Sequence, residues 1–132
     1  MLTKRLIEHY LVPGESLGLW PGVFHLTRVS NPGAAFGMLA GHHLVLAFLS
    51  LVVTATIIYW GPKFARDIVY APWSLGLLVG GAAGNLVDRV VWGEVTDFFD
   101  FRIWPVFNIA DCAIVVGAGL LLVSVIRYPP RD

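Results

Sequence analysis

The chain has 132 residues, 57% of them hydrophobic and 14% charged, and a mean hydropathy of +0.73. Soluble domains carry about 25% charged residues, so the composition excludes an ordinary water-soluble domain and points to the membrane. Nine basic against nine acidic side chains give a formal net charge of zero, which offers no basic field for nucleic acid. The single cysteine, Cys112, excludes an internal disulfide framework.

Residues 1–38 contain "LVPGESLGLWPGVFHLTRVSNPGAAFG". Its Pro-Gly turns and the extended-looking "VFHLTRV" predict short strands and loops. The start, "MLTKRLIEHY", lacks the apolar core of a cleavable signal peptide. A membrane helix needs about 17–25 apolar residues, and three stretches qualify. The first runs from about Leu39 to Trp60 with no acid or base inside it. The second runs from about Val69 to Val91 and carries Asp88 and Arg89 near its end. Between the second and third spans, residues 93–108, "GEVTDFFDFRIWPVFN", read as strand and loop. The third span runs from about Ile109 to Ile126 and carries Asp111 at its start.

Trp60, Tyr70, Trp73 and Trp92 fall near the predicted span ends, where aromatic rings favour the interface. Glycines inside the spans, at spacings such as Gly76/Gly80, let helix backbones approach closely. The basic residues do not decide orientation: Lys63, Arg66, Arg127 and Arg131 fall on one side, and Lys4, Arg5, Arg28, Arg89 and Arg102 on the other. The whole chain, 1–132, reads as one multi-pass membrane domain.

The polar residues near membrane depth gather in one place. Asn85, Asp88 and Arg89 share one side of the second span at i, i+3 and i+4, and Asn108 and Asp111 are i and i+3 in the third. A helix hairpin brings these, with Asp97 and Asp100 between them, to one membrane face. Ionisable groups within spans cost about 2.5–3.5 kcal/mol each on insertion scales and mark functional sites by default. Read singly, Asp88 and Arg89 could form an ion pair, Asp111 could serve the first turn of its helix, and Asp97 and Asp100 could be solvated. Together, two carboxylates can form an acid–base dyad. At about 4 Å and an effective dielectric of about 20, two negative charges repel by about 4 kcal/mol, so one acid keeps a proton while the other ionises, as in aspartic proteases. Spacing alone does not say which acids pair.

Other chemistries lack their signatures. His9, His25, His42 and His43 have no metal-ligand spacing, and no serine sits in a nucleophile elbow. No cofactor is expected. Cys112, after an acidic residue, reads as a small helix-packing residue.

Three blocks in order, "SNPGAAFG" at 30–37, "GGAAGNLVDRV" at 80–90 and "GEVTDFFDF…FNIADCAI" at 93–114, with "PGVFHLTRV" upstream, cover nearly the whole chain. In these the sequence resembles lipoprotein signal peptidases, bacterial membrane aspartic proteases also called signal peptidase II. The resemblance implies an all-α transmembrane bundle with a small extracytoplasmic β-rich cradle. It implies Asp97 and Asp111 as the catalytic dyad. Asn31, Asn85, Arg89 and Asn108 would bind substrate, with Asp88, Gly33, Gly81 and Asp100 in support. It further implies the bacterial cytoplasmic (inner) membrane, with residues 1–38 and 93–108 outside and the C-terminus in the cytoplasm; a monomer is expected. The expected substrate is a diacylglyceryl-modified prolipoprotein, cut before the lipidated cysteine.

The family's first membrane helix ends in Asp-x-x-(Thr/Ser)-Lys. Thr3 and Lys4 match its tail, so three spans are expected here. Two alternatives stand beside the protease: an inactive, N-terminally truncated family member, and a small proton- or cation-coupled transporter. A transporter needs an acid near mid-span, and the acids of the second and third spans lie near their ends.

Overall fold

The computed structural model describes residues 1–33, 41–64, 66 and 68–128. Among them the element order is α1 (Leu2–Tyr10), β1 (Ser16–Trp20), β2 (Phe24–Asn31), α2 (His43–Phe64), α3 (Ala71–Trp92), β3 (Val95–Asp100) and α4 (Ile109–Arg127). Helices α2, α3 and α4 are each long and apolar enough to cross a bilayer. Their outer surfaces show why the composition is so apolar: Leu44, Phe48, Val115 and Ile126 stand exposed on them. In water that would be a liability, whereas against lipid tails it is the favoured state. Trp60, Tyr70, Trp73 and Trp92 are exposed at or near helix ends, and the Lys63 ammonium lies 3.7 Å from the centre of the Tyr59 ring, an arrangement suited to the headgroup layer.

One element differs from the sequence reading. Residues 2–10, expected as loop or strand, form the helix α1. It is short, and Pro13 and Gly14 follow closely, so turn signals dominate that stretch of sequence. The "AAFG" end of the "SNPGAAFG" block and the first residues of the expected first span, Leu39 and Ala40, lie outside the described residues.

The chain packs as two compact units. The first comprises Met1–Ala47 and Val87–Ile109. Its centre is an antiparallel sheet in the order β1-β2-β3, with Val95, Phe98 and Leu11 buried. Phe24, Phe99, Phe101 and Phe107 cluster beside it, the last two stacked with ring centres 6.0 Å apart. Phe107 is tied to the strand by backbone bonds in both directions with Phe99, which returns the loop after β3 to the sheet. Gly93 ends α3 in the left-handed conformation (φ 77°), its N–H donating to the Arg89 carbonyl at 3.1 Å. A β-carbon is disfavoured at that torsion, and the turn starts β3 two residues later.

The second unit comprises Phe48–Leu86 and Ala110–Asp132. Here α3 meets α4 through Gly81 and Gly117. A β-carbon on Gly117 would sit 2.8 Å from the Ser74 carbonyl oxygen and 3.0 Å from Leu77 Cβ, and one on Gly81 would collide with the Ala110 carbonyl oxygen and Ile114. Gly76 and Gly80, whose spacing suggested the packing role, face nothing within 4 Å among the described residues. Spacing marks a small face but not which small residue meets the neighbour.

Gly117→Ala should therefore destabilise the α3–α4 pairing by about 1–3 kcal/mol, the usual cost of overpacking. Gly119→Ala, with open space around it, should be neutral or slightly stabilising. Unfolding of both variants in detergent or bicelles measures this difference, and equal stability of the two would contradict the packing assignment.

Candidate active site

The expected site residues fall into groups held by specific donors. In the first unit, Asp97 on β3 is 4% exposed. Its Oδ1 accepts from the Asn108 amide at 2.6 Å and its Oδ2 from the Asn31 amide at 3.0 Å. The pleat explains one contact: Asn31 pairs with Val95 across the ladder, so its side chain shares a face with Val95 and Asp97. Asn31 Oδ1 in turn accepts from the Gly33 N–H at 3.0 Å. That closes a local turn and fixes which end of the amide reaches Asp97. Asn108, fully buried, immediately precedes α4.

In the second unit, Asp111 lies in the first turn of α4, where an acid is favoured by the helix dipole. Its Oδ1 accepts from the buried Asn85 amide on α3 at 2.8 Å. Gly81, one turn earlier on α3, touches Ala110 and Ile114. One of the two tight contacts between these helices thus falls beside Asn85 and Asp111.

Asp88 and Asp100 have partners of their own. Asp88 is buried and forms an ion pair with the equally buried Lys4 of α1. Sequence inspection counted Lys4 among the basic residues and as the tail of a motif but not as a partner of Asp88, 84 positions away. Arg89, half-buried, follows on the next position of α3. Asp100 is buried at the end of β3. It accepts from the Thr27 hydroxyl at 2.7 Å and from the Arg102 backbone N–H at 2.8 Å. Arg102 holds φ at 65°, the left-handed region, and its Nη2 donates to Ser16 Oγ (3.1 Å) and His25 Nδ1 (2.8 Å). Burial alone raises the Asp100 pKa. The Thr27 hydroxyl, the Arg102 N–H and guanidinium and His25 outweigh it and hold the carboxyl below the ordinary aspartate range. Asp100 is therefore a structural anion of the sheet.

Also missed by sequence inspection is Glu8 on α1, whose Oε1 accepts from the buried Thr96 hydroxyl at 2.6 Å. Its only sequence signal is the i, i+4 spacing from Lys4. Among the described residues no group of three or more His, Cys, Asp or Glu side chains is placed to hold a metal ion.

Three long apolar helices and a small antiparallel sheet, with carboxylates held by amides, define a multi-helix membrane protein. The family model described as signal peptidase (SPase) II matches residues 1–127. The lipoprotein signal peptidase of Desulfitobacterium hafniense is 49% identical over 132 residues, covering 99% of this chain and 87% of that protein. The lipoprotein signal peptidase of Gloeobacter violaceus is 47% identical, covering 98% and 76%. A bacterial membrane enzyme structure determined by the in meso method at 2.3 Å resolution superposes with a TM-score of 0.86 at 29% identity, covering 99% of this chain and 85% of that one. A second, at 1.9 Å, gives 0.79 at 31% identity, covering 96% and 84%. The chain belongs to the signal peptidase II family.

Because the Asp100 carboxyl is lowered by folding, its contribution to stability is complete above the ordinary carboxylate range and is lost as pH falls through its folded value. Asp100→Asn should flatten the acid side of the stability profile. Unfolding midpoints between neutral pH and about pH 3 should fall more steeply for the wild-type chain than for the variant. Parallel curves would remove Asp100 from the ledger of acid-sensitive groups.

Proposed function

We propose that this chain is an aspartic-type endopeptidase that removes the signal peptide from diacylglyceryl-modified prolipoproteins, cutting just before the lipidated cysteine. The observation that carries the reading is the treatment of the two acids. Asp97 is held by Asn108 and Asn31, and Asp111 by Asn85. Carboxamide donors aim a carboxylate and satisfy part of its hydrogen-bonding capacity.

In this reading Asp97 and Asp111 act as a pair sharing one proton. The ionised member takes a proton from water as the oxygen attacks the scissile carbonyl, and the protonated member donates a hydrogen bond to the carbonyl oxygen. The tetrahedral intermediate then collapses to a carboxylic acid and a free amine, with no covalent enzyme adduct. Asn31, Asn85, Asn108 and Arg89 are assigned to the substrate backbone and glyceryl esters. Asp88, Asp100, Gly33 and Gly81 support the elements that bear them. The apolar helix surfaces would accommodate the acyl chains and the signal helix.

We further assign the chain, as one multi-pass peptidase domain and a monomer, to the bacterial cytoplasmic membrane. The catalytic acids face the extracytoplasmic side, where lipid-modified precursors arrive. Family membership and the three candidate spans support this placement.

Asp97→Asn and Asp111→Asn should each lower processing of a lipidated precursor by at least about a hundredfold, the scale of general acid–base catalysis, while both variants still fractionate with membranes. A gel-shift assay on the precursor reads the outcome. Processing near the wild-type rate by either variant would remove the dyad.

A further inference from the structure

We infer that Glu8 of α1, acting through Thr96, is a positioning residue for the strand that carries Asp97; the inference rests on Asp97 being one of the two reacting acids. Successive side chains of a strand point to opposite faces. Thr96 therefore faces away from the Asp97 carboxylate, and its hydroxyl donates to Glu8 Oε1 at 2.6 Å. On the other face Asp97 is bound by Asn31 and Asn108. The backbone between the two residues is thus gripped from both sides.

The ladder does not do this job alone. Pairing of β2 with β3 runs Asn31↔Val95, Ser30↔Thr96 and Val29↔Asp97, and then shifts register before resuming at Leu26↔Phe99. The regular hydrogen-bond ladder therefore breaks off beside the acid. Bulges of this kind re-aim a side chain but leave the local strand less constrained. A side-chain tie at Thr96 supplies the constraint that the interrupted ladder lacks.

A tie is only as firm as its anchor, and α1 is fixed at several points. Lys4 forms its buried ion pair with Asp88. Arg28 Nη1 donates to the backbone carbonyls of Glu8 (3.2 Å) and Leu11 (2.9 Å). The Arg5 guanidinium donates to Glu8 Oε2 and lies 3.7 Å from the centre of a Trp92 ring. Both Glu8 oxygens are therefore engaged, one holding α1 together and the other holding β3. Neither Glu8 nor Thr96 needs to touch substrate. Their effect is on the aim of Asp97.

The test compares Thr96→Val, which keeps the shape and removes the hydroxyl, with Thr96→Ser, which restores it, and with Glu8→Leu, all in the full chain in detergent or vesicles. With a lipidated precursor, Thr96→Val should lower kcat by at least about tenfold, as small misplacements of a reacting group do, with KM changed by less than about threefold. It should also displace a limb of the pH–rate profile, while Thr96→Ser stays within about twofold of wild type. Adding Glu8→Leu to Thr96→Val should lower kcat little further, because the Thr96–Glu8 contact is already gone, while the loss of the Arg5 pair on Glu8 Oε2 is read in the unfolding midpoint. Thr96→Val with wild-type kcat, or a loss that Thr96→Ser fails to rescue, or one that only tracks a fall in unfolding midpoint, would overturn the inference. Asp97→Asn in the same assay separates the two levels. If it is inactive while Thr96→Val is normal, only the positioning role fails; if it is active, the reading of Asp97 fails first.

Discussion

An aspartate placed where water is scarce needs hydrogen-bond donors or an opposite charge, because an unsatisfied buried carboxylate costs more than folding can spare. The structure meets that demand in two ways. Asp88 and Asp100 have cationic neighbours, Lys4 and Arg102, with Thr27 adding a hydroxyl. Asp97 and Asp111 have amide donors from Asn108, Asn31 and Asn85. The Lys4 and Arg102 pairs brace the fold, and in the proposed function the amides aim Asp97 and Asp111 for proton exchange.

Much of the remaining architecture serves to bring those donors into place. Gly81 lets α4 approach α3 at Ala110, next to Asp111, on the helix that carries Asn85. Gly93 turns the chain sharply out of α3 so that β3 begins at Val95. The backbone bonds of Phe107 to β3 bring the returning loop against the strand just ahead of Asn108. In each case a glycine or a backbone bond, rather than a large buried core, determines where a carboxylate or its donor sits. That economy suits a chain whose helices turn most of their apolar surface outward.

The spans were legible because long apolar runs admit few alternatives. The expected 69–91 and 109–126 became Ala71–Trp92 and Ile109–Arg127, and "VFHLTRV" became β2. The ordered motifs put Asn31, Asn85 and Asn108 among the site residues as substrate contacts, whereas their hydrogen bonds to Asp97 and Asp111 came only from the structure. Three features were not legible. Helix α1 is nine residues of mixed character beside strong turn signals. The Lys4–Asp88 pair joins residues 84 positions apart, a separation that no periodicity reports. Gly76 and Gly80 have the spacing of a packing face, but contact depends on the rotation of α3, which places Gly81 against α4.

The central claim is that two oriented acids share one proton during the reaction, and the pH dependence of kcat/KM on a lipidated precursor addresses it most directly. A shared proton requires a bell-shaped profile with two macroscopic limbs belonging to the pair, because activity needs one acid ionised and the other protonated. A rate that rises along a single limb and then stays level, with no loss on the alkaline side until the protein unfolds, would contradict it.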